Sequence, residues 1–138
     1  MATRAKVLEF EASIDADGGL AAEGCPPLTL PPEWAAEHLL LAALLRCSLS
    51  SLRYHARRDG IEARGGGTAR GTITRRERDG RYAFVNVEAE LDVELEPPPS
   101  DDAIRELLEQ AERGCFIGAS LTTTTSYRWT VNGRAAPS

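Results

Sequence analysis

Residues 31–60, PPEWAAEHLLLAALLRCSLSSLRYHARRDG, decide how this chain folds. Two prolines suit the first turn of a helix, where a missing amide hydrogen leaves no bond unmade, and Gly60 supplies a stop after Asp59. Between them the pattern is helical. Its first half, Leu39 to Leu45 above all, is apolar on nearly every side, and such a helix must be enclosed by protein most of the way round. That is hard within 138 residues, so we expect a homodimer that buries the helix between subunits. Two residues stand out in this setting. Glu37 near the start and Cys47 ten positions later occupy places where Leu or Ala would pack with less trouble.

Working outward, Lys6 to Asp15 alternates, with Leu8, Phe10, Ala12 and Ile14 on one side, which predicts a half-buried strand. Asp17, Gly18 and Gly19 form a turn, and Leu20 to Leu30 reads as a poorer strand broken by Pro26 and Pro27. Beyond the long helix, residues 63–71, ARGGGTARG, read as a flexible glycine-rich connection. They do not form a phosphate-binding loop, because no Lys followed by Ser or Thr comes after the glycines and no helix is predicted there. A hairpin follows, with strands near 67–77 and 81–95 around Asp79 and Gly80. Ala83, Val85, Val87, Ala89, Leu91, Val93 and Leu95 share one face of its second strand. Ser100 is a good N-cap for a short helix whose buried stripe is Ile104, Leu107, Leu108 and Ala111, closed by Gly114. A last strand carries Leu121, Thr123, Thr125, Tyr127, Trp129 and Val131 on one side. The order strand, strand, long helix, strand, strand, helix, strand is an α+β layout: one domain over 1–138, an antiparallel sheet packed on a long central helix.

With 42% hydrophobic and 27% charged residues, the composition suits a soluble globular protein with a real core. The apolar run Leu39–Leu45 falls well short of the roughly 18 residues that span a bilayer, and the N-terminus lacks the charged-then-apolar pattern of a secretion signal, so the expected location is cytoplasmic with no membrane partner. The net charge of −5 is uneven. From Leu52 to Arg81 nine arginines face four acids, leaving +5 there and −10 elsewhere. Such a patch attracts anions, but without a nucleic-acid motif it reads as the solvated face of a helix and hairpin. His38 and His55 read as ordinary side chains.

The three cysteines form no disulfide framework, and no CxxC or zinc spacing appears, so no metal and no cofactor are expected. Cys25, in a loop between Gly24 and Pro26, reads as incidental. Free cysteine is commonly an inert core residue, and that reading of Cys47 stays open. Against it, the helical stripe through Cys47 holds Leu40, Ala43, Leu44, Ser51 and Tyr54, a border where apolar turns polar and where a thiol at the foot of an apolar pocket would sit.

Three segments, PEWAAEHLLLAALLRCSL, ARRDGIE and LLEQAERGCFIGASL, together resemble the OsmC/Ohr family of thiol-dependent hydroperoxide reductases, over most of residues 31–131. The resemblance implies an α+β OsmC-like fold, built as an intertwined homodimer with central helices between sheets and active sites at the subunit interface. It also implies cysteine-based peroxidase chemistry. Cys47 would attack an organic hydroperoxide and become a sulfenic acid, Cys115 would resolve it to a disulfide, and a dithiol reductant would restore both thiols. Leu40, Leu44 and Tyr54 are the candidate substrate-binding residues, by helical spacing. Glu37 matches the family glutamate about ten residues before the reactive cysteine, where it pairs with an arginine from the N-terminal part of the chain. This sequence has no arginine between Lys6 and Glu37, and Arg4, Arg46 and Arg53 are the candidates for its place. An unpaired carboxylate would raise the thiol's pKa. The proline that commonly follows the second cysteine is replaced by Phe116, Ile117 and Gly118. Two further readings therefore stand beside the peroxidase: an OsmC-like binding protein for a small apolar ligand without efficient peroxidase activity, and, last, nucleic-acid binding through the arginine patch.

Overall fold

The computed structural model describes residues 4–138, which divide into two compact units meeting between Ala35 and Ala36. In the first unit, β1 (Ala12–Ile14) and β2 (Leu20–Ala22) make a small antiparallel hairpin. Asp15 builds the turn: its Oδ1 accepts from the amides of Asp17 and Gly19 at 2.9 and 2.8 Å. Both expected strands are therefore shorter than their patterns. Among the described residues Lys6 to Glu11 forms no strand, and past Ala22 the chain pairs again only beyond Pro26 and Pro27, as a bridge from Leu28 back to Leu20.

The second unit opens with α1 (Ala36–Arg58), followed by β3 (Glu62–Arg75), β4 (Tyr82–Glu96), α2 (Asp101–Arg113), α3 (Phe116–Ser120), β5 (Thr125–Val131) and β6 (Arg134–Ala135). The strands lie in the order β3-β4-β5-β6. β3 and β4 are antiparallel as expected, but β4 and β5 run parallel, so the sheet is mixed rather than antiparallel. The reason is the connection. Residues 97–124, carrying two helices, are long enough for a crossover that returns the chain in the same direction, which no tight turn could do.

Nor is the glycine-rich stretch a flexible connection: it lies within β3, paired through to β4. β3 presses so close to β4 that a Cβ at Gly65 or Gly67 would collide with the carbonyl oxygen of Asp92 or Glu90. Missing side chains are what allow the approach. Three arginines of this hairpin find partners within it: Arg70 faces Glu90, Arg76 pairs with Asp79 at 2.7 Å, and Arg75 lies over the Tyr82 ring.

Val85, expected on the alternating face of β4, is 38% exposed, and Phe84 of the other face packs on the core instead, next to a register irregularity at Thr72 and Ile73. From Val87 to Leu95 the alternating face is buried. Together with Trp129 and Val131 of β5 it receives Leu52 and Ala56 of α1 and Ile104, Leu107, Leu108 and Ala111 of α2. Ser100 caps α2, accepting from the Ala103 amide at 3.2 Å. Trp129 is anchored by its indole N–H, which donates to Glu112 Oε2 at 2.9 Å. A second, smaller cluster of Leu44, Val87, Ala89 and Cys115 lies toward the N-terminal half of α1. Among the described residues no helix is long and apolar enough to cross a membrane.

Candidate functional site

Three elements converge on this smaller cluster. α1 contributes Cys47, half-buried, and Ser48, fully buried. α2 ends at Gly114, which must be small because a Cβ there would come within 2.7 Å of Ser51 Oγ. The close approach of α2 to α1 sets the next residue, Cys115, against Ser48. Cys115 is the N-cap of α3, and its sulfur accepts from the Gly118 amide at 3.4 Å. β5 brings Tyr127 from the other side.

The resulting network is short and closed. Ser48 Oγ donates to Cys115 Sγ at 3.6 Å, and the Ser48 and Tyr127 hydroxyls hydrogen-bond to each other at 2.9 Å. Cys47 packs on the same cluster, where the Cys115 sulfur and the backbone amides of Ile117 and Phe116 act on its thiol. Both cysteines are free thiols. Two residues 68 positions apart in sequence thus meet, one reachable from solvent and the other with no exposed surface.

Their environments drive them apart electrically. Burial raises the pKa of the Cys47 thiol, and the neighbouring Cys115 sulfur raises it further, against the lowering effect of the Ile117 and Phe116 amides; the net shift is upward. Burial also works to raise Cys115, but the Gly118 amide, the Ser48 hydroxyl, the Cys47 thiol and the Tyr127 hydroxyl together outweigh it, so Cys115 lies below the ordinary thiol value. Tyr127 is pushed up to about 12, first by its own burial, then by the Cys115 sulfur and the Glu112 carboxylate.

The remaining sequence candidates fall at graded distances from this centre. Leu44 is fully buried in the cluster that holds Cys115. Leu40 is half-buried, while Leu41 and Leu45 are the leucines beside Leu44 that pack on the cluster. Tyr54 is 59% exposed, with its ring edge-on to His55 and Arg58 above it. Glu37 sits exposed in the first turn of α1 and makes no ion pair among the described residues. Arg46 and Arg53 are likewise exposed on α1. No motif in the sequence singles out Ser48 or Tyr127. A serine inside the most apolar part of a helix, and a tyrosine on the inward stripe of a strand, were the available signals, since buried hydroxyls need partners. An open cleft of about 520 Å³ lies beside the site; Gly118 and Tyr127 line it and neither sulfur does. Among the described residues no group of His, Cys, Asp or Glu could hold a metal ion.

The sequence profile of the OsmC-like protein family matches residues 32–130. Among curated proteins none matches the chain in sequence. Solved structures share the fold. An OsmC-like protein of unknown function from Vibrio cholerae is 15% identical, with a TM-score of 0.75, over 89% of this chain and 99% of its own. An OsmC-like protein from Mycoplasma pneumoniae gives 16% and 0.69, over 91% and 97%. An organic hydroperoxide resistance protein from Elizabethkingia anophelis, with thiocyanate bound, gives 20% and 0.62, over 92% and 99%.

Proposed function

The chain belongs to the OsmC-like family, and from that premise we propose that it reduces organic hydroperoxides through its two thiols. The observation that carries this is the meeting of Cys47 and Cys115 as unlinked thiols, the first half-exposed and the second enclosed. Cys47 attacks the outer peroxide oxygen, the O–O bond breaks, and an alcohol leaves with a sulfenic acid on Cys47. Cys115 then displaces water from that sulfenic acid to give a disulfide, and an external dithiol returns both to thiols. Cys47 packs on the cluster that holds Cys115, which favours this pairing.

In this reading an apolar peroxide tail lies along Leu40 and Leu44, with Tyr54 further down the helix, and Glu37 is a supporting polar group. The organic hydroperoxide resistance protein among the structural relatives supports that substrate class by its name. A second copy of the chain covers the half-buried leucines of α1 and Phe116, which is 63% exposed beside Cys115, so the working unit is a homodimer. A reducing cytoplasm suits a cycle that ends in free thiols.

The test is consumption of cumene hydroperoxide in the presence of a dithiol. Turnover is expected in the parent and lost in Cys47→Ser; equal rates in the two remove this reading. One observation favours the ligand-binding alternative, namely that Cys47 is raised above its ordinary pKa by burial while Glu37 has no ion pair among the described residues. In that case pocket-filling apolar compounds raise the melting temperature while peroxide leaves Cys47 unmodified.

A further inference from the structure

α3 has five residues, and a helix that short forms only where its ends are tied. Its N-terminal end is tied through Cys115, whose sulfur takes the Gly118 amide and the Ser48 hydroxyl. Its C-terminal end runs into residues 121–124, which belong to no helix or strand. Leu121 caps that end, with its amide on the Gly118 carbonyl at 3.2 Å and its side chain packed on the thiol cluster. The tie here comes from the tip of the β3–β4 hairpin. Arg76 Nη1 donates to Thr122 Oγ1 at 2.9 Å, across 46 positions, and Thr123 Oγ1 donates to the Val85 carbonyl at 3.4 Å. Arg76 is held ready for this contact. Its Nε and Nη2 both donate to Asp79, at 2.9 and 2.7 Å, and Asp79 also accepts from the Arg81 amide at 3.1 Å. That fork fixes the plane of the guanidinium and leaves Nη1 aimed at Thr122, on a side chain only 18% exposed. Val85 is passed over in the β3–β4 register, where Thr72 pairs with Asn86 and Ile73 with Phe84, and the same irregularity turns Phe84 onto the thiol cluster. The hairpin tip and α3 are therefore two walls of one cluster, and the Arg76 clamp joins them.

We infer that Arg76, Asp79 and Thr122 are positioning residues for the resolving step: they hold α3 by its C-terminal end, and through α3 keep Cys115 within reach of a sulfenic acid on Cys47. This rests on the reductase reading and deepens it. The clamp acts on α3 and not on Cys47, so the first step, attack of Cys47 on the peroxide, proceeds without it. The second step depends on it. A sulfenic acid on Cys47 has two fates. Condensation with the Cys115 thiol forms the S–S bond and releases one water. With Cys115 displaced, a second hydroperoxide gives up its outer oxygen to Cys47–SOH, leaving a sulfinic acid and an alcohol, and a dithiol does not reverse that oxidation. The clamp sets the partition between the two.

Two measurements test this, both in a Cys25→Ser background so that the exposed third thiol does not react. Thr122 is exposed, so Thr122→Val removes the hydroxyl without disturbing the core, while Thr122→Ser keeps it. Reduced protein is mixed with excess cumene hydroperoxide and no reductant, and the products at Cys47 are read by mass spectrometry. The first peroxide is expected to be consumed at the parent rate in both variants. The ratio of sulfinic acid to disulfide should rise about tenfold in Thr122→Val and in Asp79→Asn, which breaks the fork, and stay at the parent value in Thr122→Ser. An unchanged ratio in Thr122→Val and Asp79→Asn overturns the inference. So does a first step slowed as much as the second, since the clamp then merely supports the fold. The other measurement needs no peroxide. Cys115 has no exposed surface, so with Cys47→Ser added, its rate of alkylation by iodoacetamide reports release of α3. That rate should be about tenfold higher in Thr122→Val than in Thr122→Ser, and equal rates overturn the clamp. A parent inert to peroxide removes the reductase reading and the resolving role with it, while alkylation still decides whether the clamp holds Cys115.

Discussion

The two halves of α1 border differently built regions. Around Leu52 and Ala56 the helix meets α2 and the sheet in a closed core of Leu, Ile, Val, Ala and one tryptophan, with twelve buried residues in contact. Around Leu44 the buried cluster has four members, one of them a thiol, and Leu41, Leu45, Cys47, Phe84, Ile117, Leu121 and Tyr127, which pack on it, are themselves only partly buried. One region's buried side chains are apolar but for the Trp129 indole nitrogen; the other gathers a serine, a tyrosine and two sulfurs. The difference separates a region built from packing alone from the region where the proposed reaction places its groups. Close packing resists movement and chemistry alike, and a thiol pair proposed to form and break a bond suits a region whose enclosing side chains reach solvent.

The largest expected effect strikes the closed core. Leu107 is fully buried there, and Leu107→Ala removes a side chain whose cavity neighbours can only partly fill, at about 2–5 kcal/mol. Urea denaturation measures the loss. Thiol titration of the folded fraction should be unchanged, because Leu107 lies in the core cluster and Cys115 in the other. An equal loss of stability accompanied by a shifted thiolate titration breaks the distinction between the two regions.

A smaller effect is expected at the seam. At Gly114 an added Cβ meets Ser51 Oγ at 2.7 Å and the Gln110 carbonyl oxygen at 3.2 Å, so Gly114→Ala forces α1 and α2 apart at about 1–3 kcal/mol. Because Cys115 is the next residue, its hydrogen bond to Ser48 should lengthen and its ionisation move to higher pH. The double substitution Gly114→Ala with Ser51→Ala removes the struck hydroxyl, which is itself buried without a hydrogen-bond partner among the described residues. Partial recovery of the melting temperature is expected. If the double variant is no more stable than the single one, the seam is not where the strain lies.

The closed core was legible in advance and the looser region only in outline, for a physical reason. Period and capping are local signals. The alternation from Val87 to Leu95, the Ser100 cap and the stripe Ile104, Leu107, Leu108 and Ala111 each depend on residues a few positions apart, and each element forms where its pattern lies. The parallel pairing of β4 with β5 depends on where a long connection returns, which no local pattern encodes. Glycines that read as slack prove to be the condition for two strands to press together. Cys47 and Cys115 stand out as residue types in unusual settings. Ser48 and Tyr127 do not, because a hydroxyl shows its role only once its partner, 79 positions away, is in place.

The smallest expected effect concerns that hydroxyl pair and separates the regions by pH. In Tyr127→Phe the bond to Ser48 is lost, at about 1 kcal/mol near neutrality, well below the cost of the core truncation. The pH dependence carries the sign. The Tyr127 pKa is pushed up from an ordinary value near 10.0 to about 12 in the folded protein, so the folded state holds this proton more tightly than the unfolded chain. Its contribution to stability is therefore fully present below about pH 10.0 and disappears as pH climbs through about 12. Phenylalanine has no proton to lose. The stability gap between parent and variant, followed by urea denaturation across alkaline pH, should thus be widest at neutral pH and close over that window, the parent falling toward the variant. Leu107→Ala, compared with the parent over the same window, should show a gap that does not narrow, since no ionisable group has been removed. A Tyr127→Phe gap that stays constant across this range would mean that the tyrosine titrates as it does in water, and that the region around the two thiols is wetter than its burial implies.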